Sequence, residues 1–243
     1  MQQLASLLKV EWIFTKRNIT TLGLTIGMPV FYYLLFSGLY QGQMPPQAQA
    51  LMLISMTISS VISFNIFVLP FNINEDKGNN WLTYLQHSPV SMVQYFIAKA
   101  VRLMLYYLLA MGIIFTLGIT VRGIELSLGQ WLTIVAVIIV GMVPFALMGI
   151  LTSYLPGEQA ISLVSNVLYM FLALIGGLWI PMMLFPKWLQ SIGKGLPSYH
   201  LMQIVQHAIY DNSLEWQSVG VLGLYSVGLI AAIAVVRRVV VVR

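Results

Sequence analysis

Few residues of this chain could do chemistry on a substrate. His200 and His207 lie seven residues apart, two turns along one helical face, but no third metal ligand is spaced near them. The sequence has no serine–histidine–aspartate spacing, no paired carboxylates within an apolar run and no HExxH motif. It also lacks GxxxxGK[ST], the phosphate-binding loop of many nucleotide sites. We therefore predict no catalytic, cofactor-binding or metal-binding residue, and no enzyme activity in this chain by itself.

The long polar interruption of the chain is residues 74–99, NEDKGNNWLTYLQHSPVSMVQYFIAK. It opens with two acids, a base and a glycine, and a short amphipathic run follows. Pro89 ends that run, because the residue before a proline is disfavoured in the helical region. We expect Ser88 to cap the next helix, with Pro89 at its first position. The pattern predicts a short stiff helix between two bends, outside the bilayer.

Composition places these residues in a polytopic membrane protein. The chain has 243 residues, 59% hydrophobic and 8% charged, and a mean hydropathy of +0.86. Soluble domains carry about 25% charged residues. The net charge of +5 then reflects bases at the ends of membrane spans, so we expect no nucleic-acid partner. Cysteine is absent, which excludes disulfides and thiolate ligands.

Apolar runs predict an all-α fold, one membrane domain over residues 1–243, with six spans. We place them at about 21–40, 51–72, 100–121 and 131–152, then a fifth that ends near Trp179 and a last at about 217–236. Residues 1–18 read as an amphipathic helix in the membrane interface. The second span carries small polar residues, which we interpret first as helix-packing groups and second as a pathway lining. They are Ser55, Thr57, Ser59, Ser60, Ser63 and Asn65.

Basic residues predict the orientation, because loops on the cytoplasmic side are enriched in lysine and arginine. With the N-terminus inside, the cytoplasmic side holds nine: Lys9, Lys16, Arg17, Lys77, Lys99, Arg102, Arg237, Arg238 and Arg243. The outside holds three: Arg122, Lys187 and Lys194. We predict that both termini and residues 74–99 are cytoplasmic.

Residues 180–215 form an unusual external segment. Three prolines cut it into apolar pieces of about ten residues, too short to cross a hydrocarbon core about 30 Å thick and too apolar for open water. A re-entrant or interfacial helical hairpin satisfies both limits if its broken backbone is buried in protein.

The spans contain no charged residue at mid-depth; their notable polar residues are Asn65 and Asn166, which we assign to hydrogen bonds between helices. Ion-coupled transporters usually keep ionisable relays inside the bilayer. If this chain moves a substrate, we expect the energy to come from another subunit through residues 74–99.

In this order and topology, the segments resemble the membrane subunit of a type-2 ATP-binding-cassette (ABC) exporter. The resemblance rests on the six-span layout, on EDKGNNWLTYLQHSPVSMVQYFIAK and on WIPMMLFPKWLQSIGKGLPSYHLMQIV before the last span. Asn79 departs from the threonine common after the family's glycine, and the arginine frequent at the end of the hairpin region is missing.

The resemblance implies two functional segments. A coupling helix would contact the ATPase subunit through Glu75, Asp76, Gly78, Trp81, Leu82, Leu85 and Pro89. An external re-entrant hairpin would close the outer end of the pathway through Pro181, Pro186, Trp188, Pro197 and Tyr199.

The same resemblance implies the assembly. Two ATP-binding subunits would bind ATP and Mg²⁺, and a second permease subunit, identical or homologous, would complete the pathway in a bacterial plasma membrane. The cargo would be a drug, a peptide or a lipid-like molecule.

Two other classes of function stay open on the sequence. In one, the chain is a membrane partner or sensor of a signalling complex and transports nothing. In the other, it is an ion-coupled carrier or channel, which the uncharged spans disfavour. An intramembrane enzyme is the weakest alternative, because no catalytic constellation is visible.

Overall fold

The computed structural model describes residues 2–17, 19–39, 45–88, 90–211 and 213–241, which are helical with short connections and contain no β-strand. In chain order the helices are α1 (Gln2–Arg17), α2 (Ile19–Leu39), α3 (Pro46–Gly78), α4 (Trp81–Gln86), α5 (Met92–Arg122), α6 (Leu128–Thr152), α7 (Gly157–Ile175), α8 (Lys187–Gly193), α9 (Pro197–Tyr210) and α10 (Trp216–Val241). A short 3₁₀ turn, Met182–Leu184, precedes α8. The predicted all-α class is confirmed for these residues.

Helix α3 is the centre of the bundle. Its most apolar stretch is 83% buried, against 6% for that of α10, and it packs against α2, α5, α6, α7 and α9. The predicted small polar residues of α3 are all buried, and Ser59 binds the Tyr169 hydroxyl and the Trp179 indole N–H, each at 2.8 Å. Within this chain they therefore pack helices together.

A wide turn interrupts α3 at its middle. Residues Phe64–Val68 are π-helical, and the Asn65 side chain accepts a hydrogen bond from the Tyr107 hydroxyl at 2.6 Å. The freed backbone carbonyl of Asn65 lies against Gly149 of α6, where any β-carbon would collide with it. Such turns frequently mark functional positions in helices. Here it brings α3 and α6 into backbone contact.

Among the described residues, five helices are long and apolar enough to cross a membrane: α3, α5, α6, α7 and α10. The first predicted span falls on α2, whose described apolar stretch, Ile26–Gly38, is shorter than a full span. The structure thus supports five of the six predicted spans by length and composition.

The residues predicted for the two functional segments lie in opposite halves of the bundle. We call the end that contains Glu11, Asp76, Lys99 and Arg102 the charged end. We call the opposite half of the bundle, which contains Pro181, Pro186 and Pro197, the proline end. Helix α3 runs from the proline end, where the Tyr210 hydroxyl binds the Gln47 carbonyl, to the charged end.

Candidate functional site

At the charged end, the chain bends twice around the short helix α4. Helix α3 ends at Gly78, and Asn80 takes a left-handed conformation (φ 56°) that reverses the chain before Trp81. The Trp81 and Tyr84 rings stack with centroids 5.5 Å apart. Leu85 points inward and packs with Leu7 of α1 and Tyr95 of α5. The short helix between two bends is present as predicted, with one side anchored to the bundle.

The cap of the following helix differs from the prediction. Ser91, and not Ser88, caps α5: its hydroxyl accepts from the Gln94 N–H at 3.2 Å, and the Gln94 side chain accepts from the Ser91 N–H at 3.0 Å. This reciprocal capping box satisfies two free N–H groups at once, and it needs a glutamate or glutamine three residues after the cap, where Ser88 has Ser91. Ser88 instead donates to the Leu85 carbonyl at 2.8 Å. Pro89 lies outside the described residues.

Four buried ionic side chains join three helices beside α4. The Lys99 ammonium of α5 lies 2.8 Å from a carboxylate oxygen of Glu11 in α1 and 2.8 Å from one of Asp76 in α3. The Arg102 guanidinium of α5 lies 2.7 Å from the other Glu11 oxygen. We call Glu11, Asp76, Lys99 and Arg102 the ionic cluster. Two acids face two bases, so its formal charge is zero.

Hydroxyl and amide groups complete the ionic cluster. The Tyr95 hydroxyl donates to Asp76 at 2.6 Å, and the Arg102 Nε–H donates to the Tyr106 oxygen at 2.6 Å. Arg102 also reaches the Asn72 amide oxygen at 3.4 Å, and Thr15 contacts Tyr106 at 3.2 Å. A buried charge is tolerated only when it is paired and hydrogen-bonded. Each of the four charges of the ionic cluster is both paired and hydrogen-bonded.

The ionic cluster fixes the position of α4. Asp76 lies in the last part of α3, five residues before α4 begins. Its partners Lys99 and Tyr95 belong to α5, and Lys99 also binds Glu11 of α1. Removing one member of a buried ion pair costs about 3–5 kcal/mol, because the other charge is left uncompensated. A displacement of α4 therefore moves the ends of α3, α5 and α1 with it or breaks buried ion pairs.

The structure separates the residues predicted for the ATPase contact into two groups. Glu75 and Gly78 are exposed and Trp81 is half-buried, whereas Asp76 and Leu85 are buried against the bundle. The side chain of Leu82 is outside the described set, as is Pro89. The exposed side of α4 carries Thr83 and Tyr84, and Tyr84 is 65% exposed. Our sequence analysis did not single out these two residues for that contact.

The sequence does not reveal the ionic cluster as a unit: Lys99 and Arg102 read as bases on the cytoplasmic side, and no role is predicted for Glu11. The available signal is Glu11 itself, because the other charged residues of α1 are basic. Glu11 is also four residues from both Leu7 and Thr15, so the three share one face of the helix, which is buried.

At the proline end, the predicted residues are mostly at the surface. Pro181 and Pro186 are exposed and Trp188 is 66% exposed, whereas Pro197 begins α9 and is buried. Tyr199 is half-buried, with its ring edge against His200. Within the described part of the chain, the apolar face predicted for α8 is therefore less buried than that of α9: Trp188 and Ile192 are exposed, whereas Leu201 and Val205 are buried.

Helix α9 lies along the first half of α6 in the opposite direction. Leu201 packs on Gly141 near the middle of α6, and the Gln130 amide at the start of α6 donates to the Ile209 carbonyl at 3.3 Å. The eleven residues between positions 130 and 141 span roughly 16 Å at 1.5 Å per residue. The N-terminus of α9 is therefore level with the middle of α6.

The two histidines considered as metal ligands have separate partners. His200 is buried, and its Nδ1 lies 2.8 Å from the Ser218 hydroxyl of α10. His207 pairs with Asp211 at 2.7 Å. Hydrogen bonds from Ser218 hold the pKa of Glu215 below its usual range.

Two comparisons with known proteins found similar sequences. Residues 39–235 match the family model described as ABC-2 family transporter protein. The chain is also 29% identical over 213 residues to YvfS of Bacillus subtilis (strain 168), which is named as a candidate transport permease. That alignment covers 87% of this chain and 87% of YvfS.

Proposed function

The chain belongs to the ABC-2 family of transporter proteins, and on that premise we propose that it is the membrane-spanning permease subunit of an ATP-driven exporter. ATP and Mg²⁺ are bound by a separate ATPase subunit, present in two copies. Closure of the ATPases pushes on α4, and this motion opens a pathway between this subunit and a second permease subunit.

The observation that carries the proposal is the two-sided character of α4. Its inner side is anchored through Leu85 and, by way of α3, through the ionic cluster. Its outer side presents Thr83 and the stacked ring of Tyr84 to solvent. Exposed aromatic side chains in short rigid elements are typical protein-contact groups. A helix so built can receive force on one face and pass it to three helices through the other.

We infer that the charged end is cytoplasmic and that α2, α3, α5, α6, α7 and α10 are the six spans. Lys99 and Arg102 are buried and paired with acids, so we leave them out of the count of basic residues that indicates the orientation. Without them the count of bases is still seven against three in favour of this orientation. Both termini then lie in the cytoplasm of a bacterial cell with the chain in its plasma membrane.

A second permease subunit, identical or homologous, is supported by α7. Asn166 is exposed on a face shared with Leu163, Val167 and Met170. Its side-chain N–H donates to the Ser162 carbonyl of the same helix at 2.8 Å. An amide that faces lipid hydrocarbon is costly, and such residues usually face a helix partner or an aqueous path. We therefore assign this face of α7 to the subunit interface and the pathway.

At the other end, α9 is proposed to be the re-entrant helix that closes the pathway to the outside. Its N-terminus is level with the middle of α6 and is buried against the end of α7, where the Ser198 hydroxyl donates to the Leu172 carbonyl at 2.7 Å. The cargo class that fits such a pathway is amphiphilic: a drug, a peptide or a lipid-like molecule.

The test is co-purification of the ATPase subunit with Tyr84→Asp. Tyr84 is exposed, so the substitution leaves the fold intact but adds a charge to the proposed contact face. We expect recovery of the ATPase subunit to fall by about tenfold or more, since truncated contact residues of this type cost about 2 kcal/mol or more. Leu85→Asp is unsuitable, because Leu85 is buried and its loss would unfold the segment.

The matched control is Ser191→Asp, which adds the same charge at an exposed position of α8. It should leave recovery unchanged. The proposal fails if no protein with a P-loop accompanies the wild-type chain, or if Tyr84→Asp and Ser191→Asp behave alike.

A further inference from the structure

Lys77 makes a second connection from the tip of α3, separate from the ionic cluster. Its ammonium donates to the backbone carbonyl of Ser153 at 2.6 Å and lies 4.5 Å from the centre of the Tyr154 ring. Ser153 and Tyr154 belong to residues 153–156, the turn between α6 and α7. Lys77 therefore reaches across to the other half of the subunit.

Asp76 and Lys77 are neighbours in sequence but act in different directions. Successive residues of an α-helix project about 100° apart. Asp76 is bound to Lys99 of α5, which in turn holds Glu11 of α1, whereas Lys77 is bound to the turn between α6 and α7. The last turn of α3, immediately before α4, is thus a branch point between two sets of helices.

The receiving turn is well suited to follow Lys77. The Ser153 carbonyl is at the C-terminal end of α6, where unpaired carbonyls and the helix dipole attract a cation. The turn is itself braced: Ser153 is buried, its hydroxyl donates to the Ile150 carbonyl at 2.7 Å, and the Tyr154 N–H donates to the Leu151 carbonyl at 3.1 Å. A shift of this turn therefore moves the ends of α6 and α7.

We propose that Lys77 is a positioning residue that transmits the motion of α4 to α6 and α7, in parallel with the transmission through Asp76 to α5 and α1. This inference rests on the proposed function, because it needs an ATPase that moves α4. It adds that one subunit receives force through two adjacent side chains of opposite charge. Apolar packing between the end of α3 and α6 or α7 would hold these helices together but would not require a cation.

The experiment is hydrogen exchange of the purified complex with its ATPase, with and without ATP and vanadate, in wild type and in Lys77→Met. Methionine keeps the apolar stem of lysine and loses the cation. In wild type, nucleotide should change exchange in residues 153–160 and in α1. In Lys77→Met we expect the change in residues 153–160 to fall by about fivefold, in the range of typical coupling between sites, while the change in α1 persists.

Two further variants separate transmission from simple stability. Lys77→Arg keeps the charge and should restore the nucleotide response of residues 153–160. Lys9→Met removes an exposed lysine of α1 and should leave both responses as in wild type. A purely structural role of Lys77 would raise exchange at the turn without nucleotide and leave the size of the nucleotide-dependent change intact.

The inference is overturned if the response of residues 153–160 survives in Lys77→Met, or if it is lost together with that of α1. It is also overturned if Lys77→Arg behaves like Lys77→Met. Failure of the wild-type chain to recover an ATPase would instead contradict the proposed function, so the two failures are distinguishable.

Discussion

The charged end and the proline end hold their helices together by opposite means. At the charged end, long ionic side chains of Glu11, Lys99 and Arg102 reach between helices and meet in paired, hydrogen-bonded contacts. At the proline end, α8 and α9 meet the end of α7 through glycines and neutral groups: Gly176 lies against Ser198, and Gly193 lies against the Ile175 carbonyl.

The difference indicates what each end tolerates. Long side chains can swing and stay paired while backbones shift by an ångström or more, so the charged end can move as a linked unit. Backbones in direct contact leave no room for such adjustment, because protein interiors are close-packed. The charged end should therefore be sensitive to charge, and the proline end to size.

The largest effect is expected for Glu11→Gln. Glu11 contacts both bases of the ionic cluster, so its neutralisation leaves Arg102 uncompensated and Lys99 with Asp76 alone. Stability should fall by about 3–5 kcal/mol, measured by thermal unfolding in detergent. The matched control, Glu75→Gln, changes an exposed acid one residue from Asp76 and should stay within about 0.5 kcal/mol of wild type. If Glu11→Gln and Glu75→Gln had the same melting temperature, the expected sensitivity of the charged end to charge would be wrong.

A smaller effect is expected for Gly176→Ala at the proline end. The added methyl group would collide with the Ser198 hydroxyl and the Leu172 carbonyl, so we expect a loss of about 1–3 kcal/mol by the same measurement. Gly112→Ala in α5 is the control, because no atom lies within 4 Å of its β-carbon position. The contrast between the ends would be wrong if Gly176→Ala were as stable as Gly112→Ala.

The smallest effect concerns pH and Glu215, which precedes α10. Hydrogen bonds from Ser218 hold the pKa of the Glu215 carboxyl below its usual range in the folded protein. The unfolded state, with a pKa of about 4.3, binds more protons as the pH falls, so this contribution to stability is complete above that value and is lost below it. The melting temperature should drop on acidification through this window, and Glu215→Gln should flatten the drop. An unchanged slope in Glu215→Gln would assign the pH dependence to other groups.

Much of the fold could be predicted, because membrane helices are recognised in a sequence by their length and apolar composition. The short helix between two bends and the burial of Leu201 and Val205 in α9 also followed from periodicity. The ionic cluster could not be predicted in the same way. Pairing of Glu11 with Arg102 links residues 91 apart, and no local pattern reports such a contact. Asn166 shows the converse limit, since the sequence alone did not distinguish its exposed amide from the buried one of Asn65.

The Glu11–Arg102 pair also bears on how the chain is built. During synthesis α1 emerges first, and its acid has no counter-ion until α5 has been made. Asp76 and Lys99 are only 23 residues apart, so that contact can form within a nascent pair of neighbouring helices. Because contacts distant in sequence form late, α1 should dock onto the finished α3–α5 pair as a final step. A chain cut short before Lys99 would leave Glu11 and Asp76 without their counter-ions.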